Sequence, residues 1–519
     1  MTTTDIRRFA YLQGVGRHRL GERRLVDDAE PTTTNVPPPH ARTLHGRPLP
    51  LGTHALLAGT PYPGTPPPTT PGPGYDPLGH LLLTAFGLQR REPGNRHNDH
   101  RVAASGRARF PVHAFLAGAG PARYLDLHRH ALVDLDVPDP APDLPAPGAD
   151  PTADAAGGTT VVLAARYQDL PAAYGRLTWA VCETELGFNL RALCLAAELF
   201  GVPAAVDLSG AACAAGAALV RSAGAGRWSA PVPVRLGAAD SPAASLPFTP
   251  LPSVPLPDAG TAVPAEQDAL LHRDDPWTAE AAAVSAERLG LPAAPPRPAP
   301  ARPARLTRPA RSAATGTTWA EVLWRRSSGR MPDQRYGFAF RPSEVPAEAL
   351  RDLLDWTLTP PPHPLLAEVV ARLRLTVALD GVAGLPTGLY AVEDGRVVLR
   401  RAAPRLPAAL QTGFGQQPSP NTDNGVRHAS SAWLFSVDLD ALLADHGPAA
   451  FALLHLGLGW AMHGLCLAAS AHGLAARPAR SFDEHHVQPL FGLQRKDIPV
   501  FMTVCGTARH PAPSLDLRS

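Results

Sequence analysis

One fifteen-residue block occurs twice in this chain. GFNLRALCLAAELFG runs from Gly187 to Gly201 and GWAMHGLCLAASAHG from Gly459 to Gly473. They share an opening Gly, Leu-Cys-Leu-Ala-Ala and a closing Gly at a constant offset of 272. Copies this far apart are not a solenoid, whose period is roughly 20–50 residues. Tyr174-Gly175 aligns with His446-Gly447 at the same offset, and RYLDLHRHALV from Arg123 echoes GLYAVEDGRVVL from Gly388. The pattern predicts a duplicated domain in which each copy gives an apolar helix to one shared interface, an internal pseudo-dimer.

The expected fold class is α/β in the broad α+β sense, with two copies of a mostly antiparallel sheet flanked by helices. Pro (60) and Gly (45) make up about a fifth of the 519 residues, so long stretches must be loop or linker. Residues 1–75 read as an irregular Pro/Gly-rich segment, 76–230 as the first copy, 231–313 as a Pro/Ala-rich linker with a short helix at Thr278–Leu289, and 314–519 as the second copy. Within the copies, DPLGHLLLTAFGL from Asp76 and Leu177–Phe200 have helical apolar spacing. FPVHAFLAG, YLDLHRHALVDL, TTVVLAARY and IPVFMTVCG read as strands.

Lys+Arg (48) nearly balance Asp+Glu (46), which removes the electrostatic case for a nucleic-acid or anionic-membrane partner. Lys496 is the sole lysine, so almost all positive charge is guanidinium, a group suited to phosphate and carboxylate. Cys182, Cys194, Cys213, Cys466 and Cys505 form no CxxC pair, so neither a zinc cage nor a disulfide framework is indicated. Ala449–Ala476 is long enough for a bilayer, but its three histidines and several glycines favour a buried helix. With no secretory pattern at the N-terminus, the expectation is a cytoplasmic protein without a membrane partner.

Arg326-Ser327-Ser328-Gly329-Arg330 follows the amphipathic stretch TWAEVLWR. Two guanidiniums and a hydroxyl at alternate positions can converge on one phosphate. Further on, GLAARPARSFDEHHVQPLFGLQRKDIPVFMTVCG combines a helix end, a P-x-x-S-F-D loop, a short helix and a strand ending in Gly. In this order the motifs resemble those of nitroreductase-fold flavoproteins. The resemblance implies FMN held by Arg326, Ser328 and Arg330, with the backbone of Arg480 and Ser481 near the flavin. Ser481 stands where that family usually has Gly. A C-terminal arginine, Arg509 or Arg518, is a further phosphate contact implied near the end.

The first copy is similar to a narrower branch, the SagB-type dehydrogenases of azole-containing peptide biosynthesis. HRVAASGRARFPVHAFLAG followed by YLDLHRHALV matches that branch's R-x-x-P-S-x-G…P segment and strand pair, with Ala104 in place of the Pro. Tyr174 falls on the tyrosine of its Lys-Tyr pair, with Ala173 in place of Lys. The phosphate motif is clear only in the second copy and the Ser105-Gly106-Arg107-Ala108-Arg109 segment only in the first, where the second has PPPHPLLAE. The resemblance therefore implies one composite FMN site per chain, with Ser105, Gly106, Arg107 and Arg109 approaching from the copy opposite Arg326.

The implied activity is oxidation of thiazoline or oxazoline rings to azoles in a ribosomally made, thiopeptide-like precursor peptide, next to cyclodehydratase proteins. A general NAD(P)H-driven flavin reductase and a non-catalytic scaffold are the alternatives, and the pseudo-dimer can assemble further as a homo-oligomer. Removing the α-proton needs a base. Tyr174 is suggested by the resemblance, but a phenol with an ordinary pKa of ~10 needs a neighbouring cation, so His446 beside Asp445 is the second choice. Glu183 and Glu185, two apart on a helix, point to different faces and read as structural. His128 and His130 read as strand neighbours sharing one face, without a third metal ligand.

Overall fold

The computed structural model describes residues 1–22, 36–65, 75–93, 95, 99–118, 120–136, 159–237, 253–256, 269, 271–272, 275–291, 307–329, 338–414, 425–510 and 513–519. The strands of the first half are β1 (His45–Pro48), β2 (Leu88–Arg91), β3 (His100–Arg101), β4 (Val112–Ala117), β5 (Arg123–Asp126), β6 (Ala131–Asp134), β7 (Thr159–Ala165), β8 (Ala204–Val206), β9 (Val232–Leu236) and β10 (Val254–Pro255). Those of the second are β11 (Phe340–Arg341), β12 (Arg374–Leu379), β13 (Gly388–Glu393), β14 (Arg396–Ala402), β15 (Ser431–Asp438), β16 (Ala475–Ala479), β17 (Asp497–Ala508) and β18 (Leu515–Asp516).

The duplication is visible in strand order. One sheet runs β6-β5-β4-β7-β9-β8 and the other β14-β13-β12-β15-β17 with β16 also on β17, so six strands correspond one to one. The two hairpins that echoed each other in sequence are β5–β6 and β13–β14. Each sheet also carries its own addition: β1 and β10 extend the first beyond β6, and β11 extends the second beyond β17.

The Leu177–Leu199 and Ala450–Ala471 helices lie between the sheets. The first is buried along nearly its whole length and the second at every position, as expected of helices that are apolar all round. Both begin after a left-handed glycine, Gly175 (φ 51°) and Gly447 (φ 71°), which is why those two positions align in sequence. Trp179 stacks on Phe451 with ring centres 5.0 Å apart, and a Cβ on Gly187 would fall 2.8 Å from Gly459 Cα. Both contacts join residues offset by 272, eight residues apart along the helices, so the helices run parallel along the pseudo-twofold axis. The Ala450–Ala471 helix is long and apolar enough to cross a membrane, and it is wholly enclosed by the protein.

The structure differs from the sequence reading in four places. Residues 1–75, expected to be irregular, contain helices at Thr3–Glu22 and Thr53–Ala58 and the strand β1. The first of these docks through Ile6 and Phe9, the latter edge-on to Trp179 at 5.3 Å. Two apolar anchors in a polar helix are too sparse a signal to read without the partner surface. β9 lies inside the expected linker, yet it is an inner strand of the first sheet. Its Pro233, aligned with Val162 of β7, disguised it as linker. The linker helix spans Pro276–Ala286, capped by the Asp275 side chain, and packs on the Leu177–Leu199 helix. His128 and His130 lie in the turn between β5 and β6 rather than on a strand. The turn is favoured because the Asp126 carboxylate accepts from the backbone N–H groups of His128 and Arg129.

Candidate functional site

The Trp319–Arg325 helix, N-capped by Thr318, ends as Arg326 turns to extended backbone. The next residues run beside β16, with Ala476 N–H donating to Ser327 O at 2.9 Å. Gly329, at φ 77°, turns the chain where the Phe340 ring and Ala475 pack closely. Arg326 is 4% exposed, and one of its Nη atoms donates to the Arg101 carbonyl of the first copy at 3.3 Å. Its Nε and other Nη are buried without a partner among the described residues. Burial lowers its pKa to about 10, which leaves it charged at neutral pH. Ser328 is half-buried beside it, and Arg330 lies outside the described residues.

β16 carries Arg477 and leads into Arg480. Arg480, 7% exposed, pairs with Glu484 at 2.7 Å, and its Nε and other Nη are likewise buried without a partner among the described residues. Arg477 stacks over Phe338 at 5.0 Å, and its charge interacts with Tyr174 of the first copy. Phe338, Phe414 and Phe482 form a contiguous aromatic wall there. The Ser481 side chain is exposed. Arg509 follows β17, its N–H bonded to Ala339 O at 2.9 Å, beside the β11 residue that Gly329 approaches.

The first copy carries the other segment singled out in the sequence. Ser105 and Gly106 open a tight loop in which Arg107, Ala108 and Phe110 all have positive φ. Three non-glycine residues in that region within a few positions mark a backbone held by its surroundings. Glu185 is one of the holders: it accepts from Ser105 Oγ at 3.0 Å and from Gly106 N–H at 2.8 Å, while Ser105 Oγ accepts from Phe110 N–H at 2.7 Å. Arg107 lies 5.8 Å from the Tyr174 ring centre, and a Cβ on Gly106 would lie 3.3 Å from the Tyr174 hydroxyl. Arg109 is half-buried at the end of the same loop.

Tyr174, with Arg107 and Gly106 beside it, therefore lies within electrostatic reach of Arg477 from the other copy. Burial pushes the Glu185 carboxyl up to about 8, leaving it largely neutral at pH 7. Arginines thus dominate the local charge. The unpartnered buried donors of Arg326 and Arg480 fit a phosphate group, which can accept several charge-assisted hydrogen bonds.

His446 and Asp445 are not brought to this cluster. Asp445 forms a half-exposed ion pair with Arg372 at 2.6 Å, and His446 ends a helix that packs on the second copy and the N-terminal helix. The reason is the pseudo-symmetry itself: His446 is the counterpart of Tyr174, so it faces the reciprocal side. There the segment ahead of β12 is the Pro364–Val370 helix, whereas the Ser105 loop precedes β4. Glu185 is the residue that sequence reasoning set aside. The helix faces of Glu183 and Glu185 do differ: Glu183 turns inward to Arg288 at 3.0 Å and Glu185 turns to the loop.

Residues 339–507 match the Nitroreductase family model. No curated protein matches the chain. A protein from Anabaena variabilis ATCC 29413 described as a nitroreductase superposes with a TM-score of 0.59 at 15% identity, covering 97% of this chain and 99% of that one. Two further solved chains align over less of this one. One, from Ralstonia eutropha JMP134 and also described as a nitroreductase, covers 42% of this chain and 96% of that one, at 19% identity and TM-score 0.29. The other, from the E. coli microcin synthetase McbBCD complex, covers 35% and 71%, at 12% identity and TM-score 0.29. Residues 339–507 are thus similar to the nitroreductase family, and the chain as a whole shares the fold of the Anabaena protein.

Proposed function

We propose that this chain binds one FMN at the composite site and works in the cytoplasm as an oxidoreductase that converts thiazoline or oxazoline rings of a ribosomally made precursor peptide to azoles. The observation that supports the site is the reach of two second-copy arginines to the first copy: Arg326, with buried unpartnered donors, bonds the carbonyl of Arg101, whose guanidinium lies over Phe110 of the Ser105 loop, and the charge of Arg477 interacts with Tyr174. The azoline substrate rests on the motif order of the first copy. Arg326, Arg480 and Ser328 hold the phosphate end, with Arg330 and Arg509 as further donors. The loop at Ser105 and Gly106 closes the other side. When bound, FMN supplies a two-electron acceptor for the hydride lost from the ring's β-carbon. Tyr174, as its phenolate, takes the proton from the α-carbon and becomes the neutral phenol. Arg107 and Arg477 favour that phenolate before the step, the part that Ala173 leaves unfilled.

The expected partner is the cyclodehydratase that makes the ring. Incubating the FMN-loaded protein with an azoline-containing peptide under air tests the reading by mass spectrometry. Loss of two hydrogens per ring without NAD(P)H supports it. A flavin that is bleached by NAD(P)H while the peptide mass stays constant favours a general flavin reductase instead.

A further inference from the structure

The two copies treat one sheet edge differently. In the first, β6 is covered: β1 pairs with it antiparallel (Gly46 with Val133, Arg47 with Leu132, Pro48 with Ala131), and β10 pairs with β1 in turn. Ala131 and Val133 are fully buried there, and Leu256 packs on them. The corresponding strand of the second copy, β14, ends its sheet with no further strand among the described residues. Six of its seven residues are exposed, including Val398 (38%) and Leu399 (43%).

The edge is also charged. Arg396, Arg400 and Arg401 lie on it and Arg405 just beyond, all exposed, against Glu393 at the end of β13 and Asp394 in the turn that follows. Arg400 pairs with Glu393, and Arg401 donates to the Leu490 carbonyl at 3.0 Å. Like charges facing each other across a strand pair are unfavourable, so a second copy of this edge is a poor occupant. A strand bearing carboxylates is a good one.

We infer that β14 is a docking edge for an extended acidic peptide, which adds to the second sheet as β1 adds to the first. Main-chain hydrogen bonds would supply affinity, and the exposed Val398 and Leu399 with the arginines would select alternating apolar and acidic side chains. This surface is separate from the flavin site and stands without it.

The test uses the full chain and fluorescein-labelled ten-residue probes read by fluorescence anisotropy: an alternating Glu-Val peptide, the same peptide with two central valines replaced by proline, an alternating Lys-Val peptide, and a single-stranded oligonucleotide of matching charge. The inference expects the Glu-Val peptide to bind and the other three to bind at least tenfold more weakly. It also expects R396E/R400E to lose that binding by tenfold or more. R405E, off the strand, provides a second variant with an expected smaller loss if the double variant folds poorly. Absent Glu-Val binding, equal binding of the proline peptide or of the oligonucleotide, or full binding by the charge-reversed variants would each overturn it.

Discussion

Gly187 and Gly459 face each other across the pseudo-twofold axis so closely that neither has room for a side chain. A Cβ on Gly187 would run into the Leu456 carbonyl oxygen, and one on Gly459 into that of Thr184. The same contact repeated from both sides is what an interface between duplicated helices requires.

A side chain at this contact must force the helices apart. Gly459→Val is expected to destabilise the protein by about 1–3 kcal/mol, the usual cost of overpacking a core. Alanine at the same position gains back about 1 kcal/mol of helix propensity and should cost less. Urea unfolding followed by circular dichroism measures both, and a neutral Gly459→Val would show that the helices are not in register here.

The donors of Arg326 and Arg480 that lack protein partners are predicted to find them on the phosphate. Arg326→Ala or Arg480→Ala should weaken FMN binding about tenfold to a hundredfold, the range for one charge-assisted hydrogen-bonding group of ~1.5–3 kcal/mol. Titration of the apoprotein with FMN, followed by flavin fluorescence, reads the change. Unaltered affinity in both variants would remove the phosphate from this location.

Glu185 gives the protein a pH signature. Its carboxyl titrates at about 8 in the folded state, against an ordinary value of ~4.3 unfolded, so the folded state holds the proton more tightly. Its stabilising contribution is therefore full at low pH and is lost as pH rises through about 8. Glu185→Gln keeps an acceptor for Ser105 and Gly106 but cannot ionise. It should lose at least about 1 kcal/mol less stability than the native protein between pH 5 and 8. Chemical denaturation at several pH values checks this, and parallel pH profiles for the two proteins would contradict it.

Tyr174→Phe should leave FMN bound and reduce azoline oxidation by about 10²–10⁴-fold, the usual contribution of a general base. Arg477→Met should shift the pH dependence of turnover toward higher pH without releasing FMN, because a cation that favours the charged tyrosine is gone. If His446→Ala rather than Tyr174→Phe abolished turnover, the assignment of the two sides would be reversed.

Much of this was legible in the sequence. The apolar helix pair announced itself because helices buried on all faces need no period to be seen, and the shared Gly and Cys fixed their alignment. The phosphate motif and the Ser105 segment are contiguous, so their residue types could be read directly. Strands β1 and β9 were hidden by proline and by polar composition, because their pairing is imposed by neighbouring strands rather than by their own side chains. Glu185 was hidden for a related reason. Its role depends on a loop eighty residues earlier in the chain, and helical spacing shows only which face it leaves, not what lies opposite. His446 lies apart from this cluster because the twofold axis sends the counterpart of Tyr174 to the other side.

The central claim is a single flavin shared between two copies in one chain, and flavin stoichiometry after heat release from the purified, FMN-reconstituted protein tests it most directly. The expected result is one FMN per chain, bound at least about tenfold more weakly both in Arg326→Ala and in a Ser105→Ala/Arg107→Ala double variant, although these residues come from opposite copies. Two FMN per chain, or an affinity unchanged by the substitutions on either side, would contradict it.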